Sequence, residues 1–292
     1  MGTRVSYQHS KKAGNKGDVW KHFILLECVD RLLRENDDRS CTFEYWETHC
    51  GEGSYTLGPK GEWRSGIGKF LPAKGSLANH PYFRLLGAPL CPNSVYPGSW
   101  RLVGMYLENR KIPFKMYLFD ISEDVANTIS SDQKEDRIWP TVMFRQEEGF
   151  SALQFCGNPD LLFIDPPYKA RTDWRRCKLA GLELNKKDTP FLIWYPVFWD
   201  TEPDRLVKEV QSPGYEVIWA SMGPKPSQNL KGCGMLAGGA MGRVLEESRC
   251  QLRELAQALG GELSVRLAGK TLRNGSVACA AGSPGLRVLG GG

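Results

Sequence analysis

The stretch Leu161-Leu162-Phe163-Ile164-Asp165-Pro166-Pro167-Tyr168 decides the fold of this chain. Its four apolar residues predict a buried strand. The two prolines then end that strand, because proline fixes φ and has no backbone N–H to donate. A carboxylate, a rigid backbone and an aromatic ring are thus expected at the carboxyl end of a strand, where open α/β sheets bind their ligands.

This group of residues suits a flat base with an exocyclic amino group. The lone pair of an adenine N6 amino group is delocalised into the ring, so the nitrogen is a poor nucleophile. If the Asp165 carboxylate and the Pro166 carbonyl accept hydrogen bonds from its two N–H groups, the nitrogen becomes tetrahedral and its lone pair becomes usable, while Tyr168 stacks on the base. Positioning and exclusion of water then suffice, without a metal ion or covalent nucleophile. The alternative is a rigid turn that only ends the strand.

Strands and helices alternate along most of the chain. The strand patterns lie at 42–47, 114–120, 141–144, 161–164, 190–196 and 215–219, and the helical ones at 18–34, 122–131, 173–182, 202–211 and 243–259. Such alternation predicts a mostly parallel α/β sheet. We expect a single domain over 1–292, with an inserted helical subdomain at 54–113. The C-terminal region 243–292 gives no clear pattern beyond its helix.

A glycine turn follows the first of these strands. In Glu47-x-x-x-Gly51-x-Gly53 the two glycines allow a tight turn and a close approach of the backbone to a ligand. The pattern favours S-adenosylmethionine over a dinucleotide, because the third glycine of a dinucleotide site would fall at Thr56. An ordinary strand-to-helix turn is the alternative.

Acidic residues end the next two strands. Asp120 can accept hydrogen bonds from both hydroxyls of a ribose, or it can cap the following helix together with Ser122. Glu147-Glu148-Gly149-Phe150 either borders an adenine ring or is a solvated loop.

Composition permits nucleic-acid binding without requiring it. The chain is 41% hydrophobic and 24% charged, with a net charge of +5. Lys11, Lys12 and Lys16 either meet phosphates or form a solvated face. Nine cysteines without a C-x-x-C pair, and the absence of an apolar leader, favour reduced thiols in a cytoplasmic protein. Neither a metal site nor a membrane span is expected.

Several motifs, in consistent order over about residues 4–236, resemble one known family. They are Tyr7-x-His9-x-x-x-Ala13-Gly14-Asn15-x-x-Asp18-Val19-x-Lys21-His22, Thr48-His49-x-Gly51-x-Gly53, Tyr96-x-Gly98-Ser99, Glu148-Gly149-Phe150, Ile164-Asp165-Pro166-Pro167-Tyr168 and Trp194-Tyr195-Pro196. Together they resemble the ribosomal RNA large subunit methyltransferase J family. That family methylates N6 of one adenine in bacterial 23S rRNA with S-adenosylmethionine, and its members are also described as needed for the use of external DNA.

The resemblance implies a class I S-adenosylmethionine-dependent methyltransferase fold, Rossmann-like and mostly parallel, with the helical insertion after the glycine turn. It implies cofactor-binding roles for Lys21, His49, Ser99, Asp120, Glu148 and Asp165, and we expect Gly51, Gly53 and Gly149 to line the same pocket. It implies that Asp165 is the catalytic acceptor and that Tyr7 and His9 close over cofactor and substrate. From the residues themselves we expect Pro166 and Tyr168 to act with Asp165 in catalysis, and Lys11, Lys12 and Lys16 to bind the substrate.

The chain departs from the family at several positions. Asp120 stands where the family commonly has Glu, and Glu148 where it has Asp. After Gly234-Met235 the family continues into a strand with Asn-Pro-Pro-Trp, whereas this chain has 237–243, which is rich in glycine and lacks β-branched residues. We therefore expect the last strand of the sheet to be poor.

We expect a monomeric cytoplasmic adenine N6-methyltransferase that acts on 23S rRNA, free or in a ribosome precursor. A DNA adenine N6-methyltransferase shares the chemistry and stays open from the residues alone. A non-catalytic nucleic-acid-binding protein linked to the use of external DNA is a second alternative. A nicotinamide oxidoreductase fits poorly, because Thr56 replaces the glycine that it needs.

Overall fold

The structure is a computed structural model that describes residues 12–35, 41–71, 73–135, 137–168, 170–198, 201–219, 230–268 and 270–273. Within these ranges the strands are β1 (Phe43–Glu47), β2 (Ser54–Thr56), β3 (Val95–Pro97), β4 (Phe114–Phe119), β5 (Val142–Arg145), β6 (Leu161–Ile164), β7 (Phe191–Val197), β8 (Gly214–Trp219), β9 (Gly232–Gly238), β10 (Gly261–Leu267) and β11 (Lys270–Arg273). The α-helices are α1 (Lys16–Glu35), α2 (Pro81–Leu86), α3 (Ser99–Asn109), α4 (Glu123–Lys134), α5 (Gly149–Ala152), α6 (Arg171–Lys186), α7 (Glu202–Val210), α8 (Met241–Glu247) and α9 (Arg249–Ala258).

One large sheet organises the molecule, in the order β11-β10-β8-β9-β7-β6-β1-β4-β5. Five strands that are adjacent in this order, β7, β6, β1, β4 and β5, are parallel to one another. β9 is antiparallel to both β7 and β8, and β10 is antiparallel to β8 and β11. The parallel half therefore brings the carboxyl ends of β1, β4, β5 and β6 to one edge.

Helix α1 packs an apolar face onto this sheet. Its start is capped by Asn15, whose side chain accepts a hydrogen bond from the Asp18 N–H at 2.9 Å. Asp18, which lies one turn inside the helix, accepts from the Gly14 N–H instead. The repeat of Val19, Phe23 and Leu26 is fully buried, as its helical spacing predicts.

Residues 54–113 share a hydrophobic core with α1 and the sheet. This segment contains 3-10 turns, the hairpin of β2 and β3, α2 and α3. Trp63, Tyr82 and Trp100 are buried in the same cluster as Phe23. The segment is thus less helical than expected, and its status as a separate subdomain stays a prediction.

The expectation of a poor last strand is wrong for β9 itself, although the strand ends at Gly238 and the remaining residues of 237–243 form a turn and the start of α8. β9 is buried along its whole length between β7 and β8. A Cβ at Gly234 would overlap the ring of Tyr195, and one at Gly238 would overlap the ring of Phe191, each directly across the ladder. Aromatic side chains from β7 thus occupy the space above these glycines, so packing outweighs their low strand propensity.

The region after 243 completes the sheet edge. The single helix expected at 243–259 is two helices, α8 and α9, which meet at Ser248. β10 is joined to β8 by Arg266, which forms a two-pronged ion pair with the buried Glu216 at 2.7 and 3.0 Å.

In the described ranges no helix is both long and apolar enough to cross a membrane. The expectation of reduced thiols is wrong at Cys250, which is disulfide-bonded, whereas six other cysteines are free thiols: Cys28, Cys50, Cys91, Cys156, Cys177 and Cys233.

Candidate active site

The loops after β1, β4 and β6 are tied together at the carboxyl edge of the sheet. The Thr48 N–H donates to the Phe163 carbonyl at 3.1 Å, and the Cys50 N–H donates to the Phe119 carbonyl at 3.0 Å. These bonds hold the loop after β1 between its two neighbours. The structure therefore brings the glycine turn, Asp120 and Asp165 to one site.

Only glycine fits the turn after β1. Gly51 has φ +59° and Gly53 has φ +77°, in the left-handed region that disfavours other residues. A Cβ at Gly53 would also overlap the ring of Trp100 at the start of α3. The Gly98 N–H donates to the Gly53 carbonyl at 2.7 Å, which fixes the turn against that helix. Glycine is therefore required here by the left-handed backbone and by the packing of Trp100, and it leaves this part of the turn without side chains.

Asp120 follows β4 and joins the glycine turn to the start of α4; its role in ribose binding stays a prediction. One carboxylate oxygen accepts from the Gly51 N–H at 3.1 Å, and the other from the Ser122 N–H at 2.9 Å. Ser122 itself caps α4. Each oxygen keeps a second lone pair, so the residue fixes the glycine turn and can still accept from a ribose hydroxyl.

Glu148 is not part of a solvated acidic pair. It caps α5 by accepting from the Ser151 N–H at 3.0 Å, and it forms an ion pair with Arg176 of α6 at 2.9 Å. The Arg176 guanidinium also lies 5.7 Å from the centre of the Phe150 ring. The turn after β5 is thus held to α6 on one side.

The same turn packs against His49 on its other side. A Cβ at Gly149 would overlap the Thr48 carbonyl, so this position also requires glycine. The His49 ring lies edge-on to the Phe150 ring, with centroids 5.0 Å apart. Burial lowers the pKa of His49, and its Nδ1 shares a hydrogen bond with the Thr48 hydroxyl at 2.8 Å. A neutral imidazole therefore lines the site between β1 and β5.

The Asp165 carboxylate is held by a lysine from α1. Lys21 donates to Asp165 Oδ2 at 2.8 Å and pairs with Asp18 at 3.0 Å. Its ammonium lies 6.0 Å from the centre of the Trp194 ring. Burial opposes the lysine's charge, but the two carboxylates outweigh burial and raise the pKa of Lys21 well above its ordinary value. Two residues predicted for catalysis and cofactor binding are thus in direct contact.

Tyr168 is anchored at its hydroxyl end. Its hydroxyl donates to the Trp194 carbonyl at 2.6 Å, and its ring centroid lies 4.6 Å from that of Trp174. The residue has φ +51°, an uncommon conformation for tyrosine, and it is half-buried. The contacts fix the ring beside the Asp165 loop; its stacking on a substrate base stays a prediction.

Glu47 and Ser99 form a buried pair that the sequence did not reveal. The Ser99 hydroxyl donates to one Glu47 oxygen, and the Tyr45 hydroxyl donates to the other at 2.7 Å. Glu47 is fully buried, and burial raises its pKa to about 8. Ser99 is therefore held by a buried carboxyl group whose pKa lies above its ordinary value.

A second buried network lies behind Lys21. The His22 Nδ1 and the Tyr96 hydroxyl share a hydrogen bond at 2.7 Å, and Tyr96 bonds the Tyr82 hydroxyl at 2.9 Å. The sequence analysis predicted no functional role for His22. Its place in the helical repeat, one residue before Phe23 on the apolar face, was the signal that it would be buried.

The predicted substrate-binding residues are only partly described. Tyr7, His9 and Lys11 lie outside the described residues. Lys12 is exposed, and the ammonium of the half-buried Lys16 lies 5.8 Å from the centre of the Trp219 ring. Their contacts with RNA stay predictions.

The fold and the site together define a class of enzyme. A parallel sheet with the antiparallel strand β9 inserted between β7 and β8, and a glycine turn after the central strand, is the fold of class I S-adenosylmethionine-dependent methyltransferases; β10 and β11 extend this sheet beyond β8. The residues present suit that cofactor: a turn without side chains, a carboxylate at Asp120, and a neutral ring at His49.

The particular family follows from comparison with known proteins. A family model described as "Ribosomal RNA large subunit methyltransferase D, RlmJ" matches residues 40–264, so the chain belongs to this family. The Ribosomal RNA large subunit methyltransferase J of Escherichia coli (strain K12) is 27% identical over 233 residues, covering 73% of this chain and 78% of that protein. The protein of the same name from Haemophilus influenzae is 26% identical over 252 residues, covering 78% and 83%.

A solved structure shows the same fold. The crystal structure of protein LPL1258 from Legionella pneumophila superposes with a TM-score of 0.68 at 20% identity, covering 88% of this chain and 99% of that one. The predicted family, fold class and methyl donor are thus confirmed.

Proposed function

We propose that this protein transfers a methyl group from S-adenosylmethionine to the N6 amino group of an adenine in 23S ribosomal RNA. The observation that carries the proposal is the Asp165 carboxylate, fixed beside the glycine turn and followed by the rigid Pro166-Pro167 pair. The names of the two curated relatives support the choice of ribosomal RNA.

The hydrogen bonds of Asp165 leave room for a substrate. Among the described residues only its Oδ2 receives a hydrogen bond, from Lys21. Oδ1 is therefore available to accept a hydrogen bond from one N–H of the adenine amino group, while the Pro166 carbonyl accepts a hydrogen bond from the other. Both acceptors favour a pyramidal nitrogen whose lone pair points at the electrophile, which the bound cofactor supplies.

Lys21 orients the acceptor. Its ammonium stays charged and donates to one oxygen of Asp165 at 2.8 Å, which fixes the orientation of the carboxylate. The nitrogen loses a proton after the methyl group has been transferred, and the same carboxylate is placed to receive it. Catalysis then depends on orientation and on electrostatics that exist before the substrate arrives.

The wider setting belongs to the same proposal. The enzyme acts as a cytoplasmic monomer on 23S rRNA, free or in a ribosome precursor. Lys12 and Lys16 bind RNA phosphates, and the anchored Tyr168 ring stacks on the target base.

The test is transfer of a labelled methyl group to 23S rRNA that lacks the modification, followed by digestion and identification of the methylated nucleoside. We expect N6-methyladenosine, and a loss of activity of at least about a hundredfold in Asp165→Asn, which keeps the shape but removes the charge. The matched control is Asp188→Asn, at an exposed position, with expected wild-type activity. Equal activity of Asp165→Asn and wild type contradicts the mechanism, and a preference for DNA over rRNA contradicts the substrate.

A further inference from the structure

We propose that the exposed face of α6 that carries Arg171 and Arg175 binds phosphates of the RNA strand next to the target adenine. This inference rests on the proposed function, because it assigns a second contact surface to the same substrate. We call these two residues the α6 basic face.

The chain places the α6 basic face close to the reactive carboxylate. Arg171 is the first residue of α6 and follows Asp165 by six positions. Six residues span at most about 22 Å even when fully extended. Pro166-Pro167 and the anchored Tyr168 hydroxyl fix most of that connection, so α6 leaves the site in a defined direction. A strand that presents its base to Asp165 has phosphates every few ångströms, within reach of such a surface.

The charge of α6 is concentrated at this end. Of the eight residues 171–178, four are basic and one, Asp173, is acidic. Two of the basic residues are paired within the protein: Arg176 with Glu148 at 2.9 Å, and Lys178 with Glu209 at 3.3 Å. Their charge is already balanced, so they are poor candidates for a phosphate.

Arg171 and Arg175 differ from these two. Both are exposed, and neither forms an ion pair or hydrogen bond with any residue in the described part of the chain. They are four positions apart, so their side chains project from the same side of the helix. The opposite side of α6 is buried through Trp174, Cys177 and Leu184. The helix is thus fixed by its apolar side and presents two unbalanced guanidinium groups to solvent.

A phosphate strand matches this surface better than a protein partner. The α6 basic face offers charge at a fixed spacing beside a site built for a base, and guanidinium groups bind phosphate oxygens in a forked geometry. Such contacts position the substrate without reading its sequence. Lys16 begins α1, the other element that reaches Asp165, and Lys12 lies just before it, so basic residues approach the carboxylate from α1 and from α6.

The test compares the double variant Arg171→Gln/Arg175→Gln with wild type. The matched control is Arg110→Gln/Lys111→Gln, which also removes two exposed charges, at the end of the sheet where β4 begins. Binding of 23S rRNA transcribed in vitro is measured over a series of KCl concentrations, and methyl transfer is measured as a function of RNA concentration. Circular dichroism and thermal unfolding check that both variants fold.

We expect the α6 variant to bind RNA about tenfold more weakly, with a plot of log Kd against log salt that is shallower by about 1.4, since each lost single-strand contact removes about 0.7. Its KM for RNA rises while kcat stays near the wild-type value. An unchanged salt dependence and KM overturn the inference, and so does a fall in kcat at constant KM. Failure of wild type itself to methylate rRNA would instead count against the proposed function.

Discussion

Acidification is expected to destabilise this protein through His22. The imidazole is 2% exposed and shares a hydrogen bond with Tyr96. Burial, together with the neighbouring ammonium of Lys21, lowers the pKa of His22 from 6.5 to about 3, even though Asp18 opposes the shift. In the unfolded chain the pKa returns to about 6.5. Below that pH the unfolded state binds a proton that the folded state does not.

The sign and size of the effect follow from this difference. The contribution of His22 to stability is fully present above pH 6.5 and is lost as the pH falls towards 3. Each pH unit removes about 1.4 kcal/mol, so the free energy of unfolding falls by about 2 kcal/mol between pH 6.5 and pH 5 through this residue alone.

The assay is urea unfolding at pH 7.5, 6 and 5, for wild type and for His22→Gln. Glutamine can accept the Tyr96 hydrogen bond but cannot take up a proton. We expect the variant to be less stable than wild type at pH 7.5. Between pH 6 and 5 its free energy of unfolding falls less steeply than that of wild type, and the two slopes differ by about 1.4 kcal/mol per pH unit. Burial also lowers the pKa of His49 and of His80, but both residues are present in the two proteins and cancel. Parallel stability profiles for the two proteins would refute the reasoning.

Two further predictions concern the centre of the sheet and the site. Gly234→Ala places a methyl group into the ring of Tyr195, so the free energy of unfolding in urea falls by roughly 1–3 kcal/mol. Gly58→Ala, where nothing lies within 4 Å, changes it by less than about 0.5 kcal/mol, and equal effects of the two would contradict the packing argument. Lys21→Met removes one charge-assisted hydrogen bond from Asp165, worth about 1.5–3 kcal/mol, and so slows single-turnover methyl transfer by about ten- to a hundredfold. An unchanged rate would show that the lysine does not orient the carboxylate.

The sequence predicted those site residues whose position depends on their neighbours in the chain. Asp165 follows four apolar residues and precedes two prolines, so its place at a strand end follows from neighbours in the chain. Gly51 and Gly53 likewise follow a short strand. Parallel strands bring such ends to one edge, so local patterns alone were enough to group these residues.

The missed features depend on residues that are distant in the chain. The contact between Ser99 and Glu47 spans 52 positions, and that between Lys21 and Asp165 spans 144. The expectation that β9 would be a poor strand was wrong for the same reason. Its glycines are unfavourable for a strand by themselves, and only the rings of β7 across the ladder make them necessary.

The Lys21 contact also explains the charge of the site. Asp18, Lys21 and Asp165 together carry two negative charges and one positive charge, a net charge of −1. A partly buried cluster of that charge favours a cationic cofactor near it, because screening by water is weaker there than in bulk solution. In the proposed reaction, methyl transfer would move positive charge from the cofactor towards the substrate nitrogen, which is the atom that we propose Asp165 binds. The same cluster can therefore stabilise the charge before and after the transfer, and this requires Lys21 to balance only one of the two carboxylates.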